Sequence, residues 1–217
     1  MVRHLKSTGA TGRREMDRNR LLHGIPNALL YAPPGLAGPT LMLAIALARW
    51  AVWIGPALLL CLWLAGTRED RAAAVAAGAA GAFGLAIAAA LSAAVWAPRP
   101  FADGSAINML GHAPDTGFPS DHATLAFSLA FGLLRRRPPS LPKAWLALCA
   151  VALAVGWARV FLGAHHLEDI AGGAAVGLAS VVTVATRAGR ALLSPLDKLG
   201  EAVRSRVVTG VRVGRAG

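Results

Sequence analysis

The sequence predicts an all-α fold: an integral membrane helical bundle with about five transmembrane helices. Three observations carry that expectation. Over half of the residues are apolar and only 15% are charged. Several stretches run longer than a soluble core helix needs with almost no charge in them, which is what a bilayer some 30 Å thick demands. The basic residues sit at the ends of those stretches rather than along one polar face, the placement that sets orientation in a membrane. The last point also disposes of nucleic acid as a partner, which the net charge of +11 would otherwise suggest.

Residues 1–20 are polar and basic and predict a mobile segment. No cleavable signal peptide is evident in them, since no apolar core follows at once; Met16 competes with Met1 as the true start. Residues 21–38 are apolar but interrupted by Pro26, Pro33 and Pro34, and fit an interfacial position better than a crossing. The first span covers 40–65, with Arg49 and Pro56 as interruptions, and Thr67 to Arg71 form a charged loop. An alanine-rich second span covers 72–97. A polar loop follows from Pro98 to Pro119. The apolar run Ala123 to Leu134 is short, and spans only if its helix takes in the polar start near Ser120 and the basic end at Arg135. Residues 144–162 and 170–186 are the fourth and fifth spans. The membrane domain is thus bounded as 21–190, with 191–217 as a basic tail. Cys61 and Cys149 lie inside apolar stretches and read as small buried hydrophobes.

Parity assigns sides. The loops at 67–71 and 135–143 and the tail from 187 must share one face, and they hold thirteen Lys or Arg. The loops at 98–119 and 163–169 share the other, with Arg99 and Arg159 at their borders. The positive-inside rule puts the first set in the cytoplasm and the second outside. Five spans also put the basic N-terminus outside, against the rule. A re-entrant 21–38 segment, a later start or a local override would each account for that.

The polar residues that could do chemistry fall on the outer side, in three segments. Arg99 lies between Pro98 and Pro100; an arginine at a membrane border often only snorkels, but flanking prolines fix a shaped turn. Pro119-Ser120-Asp121-His122 opens an apolar helix. It reads as an ordinary cap, or as an anion cradle, since a helix N-terminus offers free N–H groups and a positive dipole end. In the third segment Arg159 precedes His165, and Asp169 stands four residues after His165, so the two face each other on a helical turn. That pair is either a structural hydrogen bond or a carboxylate that fixes the imidazole tautomer and frees the other nitrogen to attack. His166 lacks a carboxylate at that spacing, which favours His165 as nucleophile. Ionisable residues within a membrane domain are costly unless they serve a function. Together, two arginines, a helix cradle, two histidines and a carboxylate suit phosphoryl transfer through a covalent histidine intermediate.

The pattern resembles the type 2 phosphatidic acid phosphatase superfamily: Arg99-Pro100, then Pro119-Ser120-x-His122, then Arg159-x5-His165-x3-Asp169, over about residues 20 to 190. It is most similar to the bacitracin-resistance type of undecaprenyl-diphosphate phosphatase, through Pro98-Arg99-Pro100-Phe101 and the stretch from His112 to His122. The resemblance implies His165 as nucleophile, Asp169 as its orienting partner and His122 as general acid. It implies Arg99, Ser120, Asp121 and Arg159, with backbone N–H groups near 120–122, around the phosphate. It further implies hydrolysis of a polyprenyl diphosphate in a bacterial inner membrane, with the active site facing the extracytoplasmic side. No metal and no cofactor is implied; Asp103 and Asp115 match no ligand spacing. Two positions depart from the superfamily. Ser92 stands where a lysine is frequent, and Asp121 where a glycine is usual. The competing readings are a glycerolipid phosphate phosphatase, a lipid phosphotransferase and a transporter whose polar cluster lines a path.

Overall fold

A computed structural model describes residues 30–192 together with 194, 195, 200 and 202. The basic segment 1–20 and nearly all of the tail 191–217 lie outside the described residues. Within them the chain is helical, without a strand. In order the helices are α1 (Pro39–Trp50), a 3-10 turn (Ala51–Trp53), α2 (Ile54–Ala65), α3 (Arg68–Ala94), α4 (Asp121–Arg135), α5 (Ala144–Phe161) and α6 (Leu167–Val184).

Four rods are long and apolar enough to cross a membrane: α1 and α2 taken together, α3, α5 and α6. The first is one rod with a break. Pro56 has no N–H to donate, and the helix tightens into the 3-10 turn just before it. Arg49 reaches the Leu110 carbonyl from this rod through Nη2 (3.0 Å), which ties it to the loop after α3. The α3 helix begins four residues earlier than the second span predicted from the sequence. Thr67 caps it and Asp70 completes a reciprocal capping box, which turns the expected charged loop into a first helical turn. The Asp70 carboxylate also accepts from the Ser140 backbone N–H (3.1 Å) and hydroxyl (2.6 Å), clasping the α4–α5 loop to the start of α3.

The α4 helix takes in both its polar start and its basic end, as expected. At 15 residues it is only about 22 Å long. It need not meet lipid along its length, because α3, α5 and α6 surround it and nine of its residues are buried. Close approach depends on small residues. A Cβ on Gly132 would lie 2.7 Å from the Ala77 Cα, and one on Gly177 would lie 2.9 Å from the Ser128 backbone N.

The order of helices places loops 95–120 and 162–166 at one end of the bundle, and loops 66–67 and 136–143 at the other. Residues 30–32 belong to the first end and pack inward, not along an interface. The Ala32 N–H donates to the Phe161 carbonyl (2.7 Å), and buried Tyr31 joins Ala123, Val160 and Ile170 in one cluster. The remainder of the 21–38 segment, up to residue 29, lies outside the described residues.

Candidate active site

Long-range hydrogen bonds shape the loop that follows α3. The Gly117 N–H donates to the Ala97 carbonyl (2.7 Å), and Pro98 and Thr116 form an isolated antiparallel bridge. The neck this makes turns Arg99 inward, where it is 8% exposed. Its Nε donates to Asp115 Oδ1 (2.6 Å) and its Nη1 to the Ala164 carbonyl (2.9 Å). The side chain is therefore anchored, not snorkelling.

Arg159 comes from the last turn of α5 and is 3% exposed. Its Nη2 lies 3.2 Å from His165 Nε2 and its Nη1 lies 3.5 Å from His122 Nε2. Arg159 Nε is buried and has no hydrogen-bond partner among the described residues.

Beyond α5 the chain turns sharply at Gly163, whose φ of 74° suits glycine. A Cβ there would also lie 2.5 Å from the Ile107 carbonyl oxygen. This turn delivers His165 to the centre of the cluster. His165 Nε2 sits 3.3 Å from Arg99 Nη1 and 3.2 Å from Arg159 Nη2, while Nδ1 sits 2.9 Å from the Gly117 carbonyl and 3.4 Å from Asp169 Oδ2. A guanidinium can only donate and a carbonyl can only accept. Nε2 must therefore be the acceptor, and Nδ1 carries the proton and donates it to Gly117. The lone pair of Nε2 faces the space between two cations. Burial pushes the His165 pKa below the usual imidazole value; the hydrogen bond to Asp169 works against that shift, and Arg159 and Arg99 add to it.

The expected His165–Asp169 pair is present, but not on one helix. The α6 helix starts at Leu167, after His166 at the N-cap, so His165 lies in the loop before it. Asp169 Oδ2 accepts from the His166 backbone N–H (2.8 Å), capping the helix while still facing His165. His166 also has carboxylate neighbours. Its Nε2 is 3.1 Å from Asp103 Oδ2 and its Nδ1 is 4.0 Å from Asp169 Oδ2. What sets His165 apart is thus the pair of guanidiniums at Nε2, not the carboxylate alone.

At the mouth of α4 both readings of Ser120 meet. Its hydroxyl accepts from the Ala123 N–H (3.4 Å) as a cap. Its own N–H is already donated to the Asp169 carbonyl (3.1 Å). The N–H groups open to an anion are therefore those of Asp121 and His122, which as first-turn donors have no partner within the helix. His122 is half-buried and turned toward Arg159; the Asp121 side chain is exposed.

Four further groups belong to the site. The Gly117 carbonyl has no signature in a sequence. Asp115 pairs with Arg99, which the resemblance around 112–122 brought close to view. Ser92 donates from its hydroxyl to the Phe118 carbonyl (3.0 Å), one residue from Gly117. His112 is half-buried near the cluster; burial, then the charges of Arg159 and Arg99, lower its pKa to about 4. The Arg99 guanidinium holds the Asp115 carboxyl below the usual range, against the opposing effect of its burial.

Residues 72–191 match the family model described as PAP2 superfamily. A protein of Escherichia coli (strain K12) named "Putative undecaprenyl-diphosphatase YbjG" is 31% identical over 153 residues, 70% of this chain and 75% of that one. Undecaprenyl-diphosphatase BcrC of Bacillus subtilis (strain 168) is 31% identical over 121 residues, 56% of this chain and 61% of that one. Bacitracin transport permease protein BcrC of Bacillus licheniformis is 34% identical over 112 residues, 51% of this chain and 53% of that one. The match covers the helices and loops that bring Arg99, His122, Arg159, His165 and Asp169 together, and this multi-pass membrane protein belongs to the PAP2 superfamily of phosphatases.

Proposed function

We propose that the chain hydrolyses a polyprenyl diphosphate, undecaprenyl diphosphate in the first instance, to the monophosphate and inorganic phosphate through a phosphohistidine. The observation that carries this reading is the setting of His165, with Nδ1–H tied to the Gly117 carbonyl and Nε2 between two guanidiniums. Two relatives named as undecaprenyl-diphosphatases support the substrate.

The terminal phosphate is held by Arg99 and Arg159, with the Ser120 hydroxyl and the first-turn N–H groups of Asp121 and His122. His165 Nε2 attacks its phosphorus, and the bond to the bridging oxygen breaks. Burial and the Arg159 charge lower the His122 pKa to about 3; the negative charge of the bound diphosphate works against that shift, and His122 gives its proton to the bridging oxygen as the prenyl monophosphate leaves. Asp169 and Gly117 keep the Nδ1 proton in place as positive charge grows on the ring. A water molecule then attacks the phosphohistidine and His122 recovers a proton from it, so that phosphate leaves and His165 is restored. Arg159 Nε, buried without a partner among the described residues, is one donor that a bound phosphate could satisfy.

The departures at Ser92 and Asp121 fit a diphosphate. Its leaving group is a phosphate monoester, far more acidic than the alcohol released from a phosphatidate, and it needs less help from cations and acid. The site acts on the extracytoplasmic side of a bacterial inner membrane, by the charge parity of the loops. The test is phosphate release from detergent-solubilised protein offered prenyl diphosphates, phosphatidate and phosphatidylglycerophosphate. Prenyl diphosphates should react much faster, and His165→Ala should abolish release with the protein still in the membrane. Equal rates would sink the substrate assignment. One relative bears a permease name; no phosphate release from wild type with any of these lipids would favour a non-catalytic role of that kind.

A further inference from the structure

At the end of the bundle away from His165, α4 ends at Arg135 and α6 at Val184, while α3 begins further out, at Arg68. Beside the last turn of α4, at Gly132 and Arg135, lies a cavity of about 400 Å³ between α3 and α6. One wall is a stripe of Ala72, Ala76 and Ala80 along α3, and the facing wall carries Val181 and Val184 of α6. Its lining also includes Arg135, Arg136 and Arg190. All three arginines are exposed and none forms an ion pair with a carboxylate among the described residues. Arg190 donates one N–H to the Ala185 carbonyl (2.5 Å), which holds the side chain over the opening. Arg137, next in sequence, is engaged elsewhere, 5.9 Å from the centre of the Trp145 ring.

This cavity is separate from the phosphate site. The length of α4, about 22 Å, stands between His122 at one end and Arg135 at the other. Its chemistry is divided, with an apolar shaft of small residues and a cationic mouth where the helices emerge. Guanidiniums bind phosphate through paired N–H donors, and basic pockets between membrane helices suit anionic headgroups. Beyond residue 191 the sequence is itself basic, with Lys198, Arg204, Arg206, Arg212 and Arg215 against Asp197 and Glu201.

We propose that this cavity binds an anionic glycerophospholipid of the leaflet opposite the active site. Its phosphate would lie on Arg135, Arg136 and Arg190, and one acyl chain would lie along the alanine stripe of α3.

The test is native mass spectrometry of the full chain released from mixed micelles containing phosphatidylglycerol and phosphatidylcholine in equal amounts. Wild type should retain phosphatidylglycerol in preference to phosphatidylcholine. The R135Q/R136Q/R190Q variant should lose that preference by about tenfold or more, on the scale at which arginines near a surface attract anionic lipid. Ala76→Trp keeps every arginine and fills the shaft, and it should lose the adduct as well. Adding inorganic phosphate in excess should leave the adduct in place; displacement by phosphate would mean a site for the free anion and overturn the lipid assignment. An Ala76→Trp protein that keeps wild-type preference would overturn the cavity, leaving only a belt of cations. Equal retention of the two lipids by wild type would overturn the proposal outright.

Discussion

Two guanidiniums face one imidazole nitrogen, and that contact decides how His165 titrates. Burial and both arginines favour its neutral form. The acidic limb of kcat/KM that reports protonation of the nucleophile should therefore fall below the usual imidazole value of about 6.5. Asp169→Asn removes the contribution that raises this pKa, so the limb should move to still lower pH while kcat falls. A limb that moves up would contradict the assignment. Ser92 is the second residue where a role can be separated from a likeness. It stands where the superfamily often has lysine, yet its hydroxyl holds the Phe118 carbonyl next to the Gly117 carbonyl that fixes His165. Losing one such bond costs about 0.5–1.5 kcal/mol. Ser92→Ala should lower kcat a few-fold to about tenfold with little change in KM, measured by phosphate release. A rise in KM with kcat intact would mean that Ser92 touches the substrate instead.

At the scale of elements, the helices were legible because apolar runs bounded by prolines and charges leave few alternatives. Their starts were less so. The segment 67–71 reads as a charged loop until Thr67 and Asp70 are seen to cap each other across one turn. His165 and Asp169 read as facing each other on a helical turn; they do face each other, but α6 begins between them, at Leu167, and His165 lies in the loop after the Gly163 turn. The motif positions were visible in sequence, whereas the Gly117 carbonyl was not, because any residue supplies a carbonyl and only the fold brings it near. The packing of α4 can be tested directly. A Cβ on Gly173 would lie 2.9 Å from Ala123 Cβ, from the Ser120 carbonyl oxygen and from the Thr124 backbone N. Gly173→Ala should push α6 off the mouth of α4 and destabilise the fold by about 1–3 kcal/mol. Gly78→Ala meets only Leu59 Cδ1 at 3.7 Å and should cost nothing. Thermal unfolding in detergent checks both, and equal midpoints for the two variants would contradict the packing described.

Across the whole molecule, three stretches far apart in sequence converge at one end of the bundle, and the arginine-rich turn at 135–137 lies at the other. Side is thus a single property shared by all the site residues. In a chain with Cys61 and Cys149 replaced by serine, a cysteine at exposed Ala102 should react with an impermeant maleimide in intact spheroplasts. One at exposed Pro139 should react only after permeabilisation, and the reverse pattern would contradict the orientation. The fold and its apolar spans could be read from composition, because a bilayer admits few solutions; the cavity beside the last turn of α4 could not, because it depends on how three helices pack. The central claim is that His165 carries the phosphoryl group. Acid-free, alkaline quenching of the enzyme with undecaprenyl diphosphate labelled in its terminal phosphate tests it most directly. Wild type should carry a base-stable, acid-labile label on His165, and His165→Ala should carry none and release no phosphate. A label of equal amount in His165→Ala, or full phosphate release from that variant, would contradict the account.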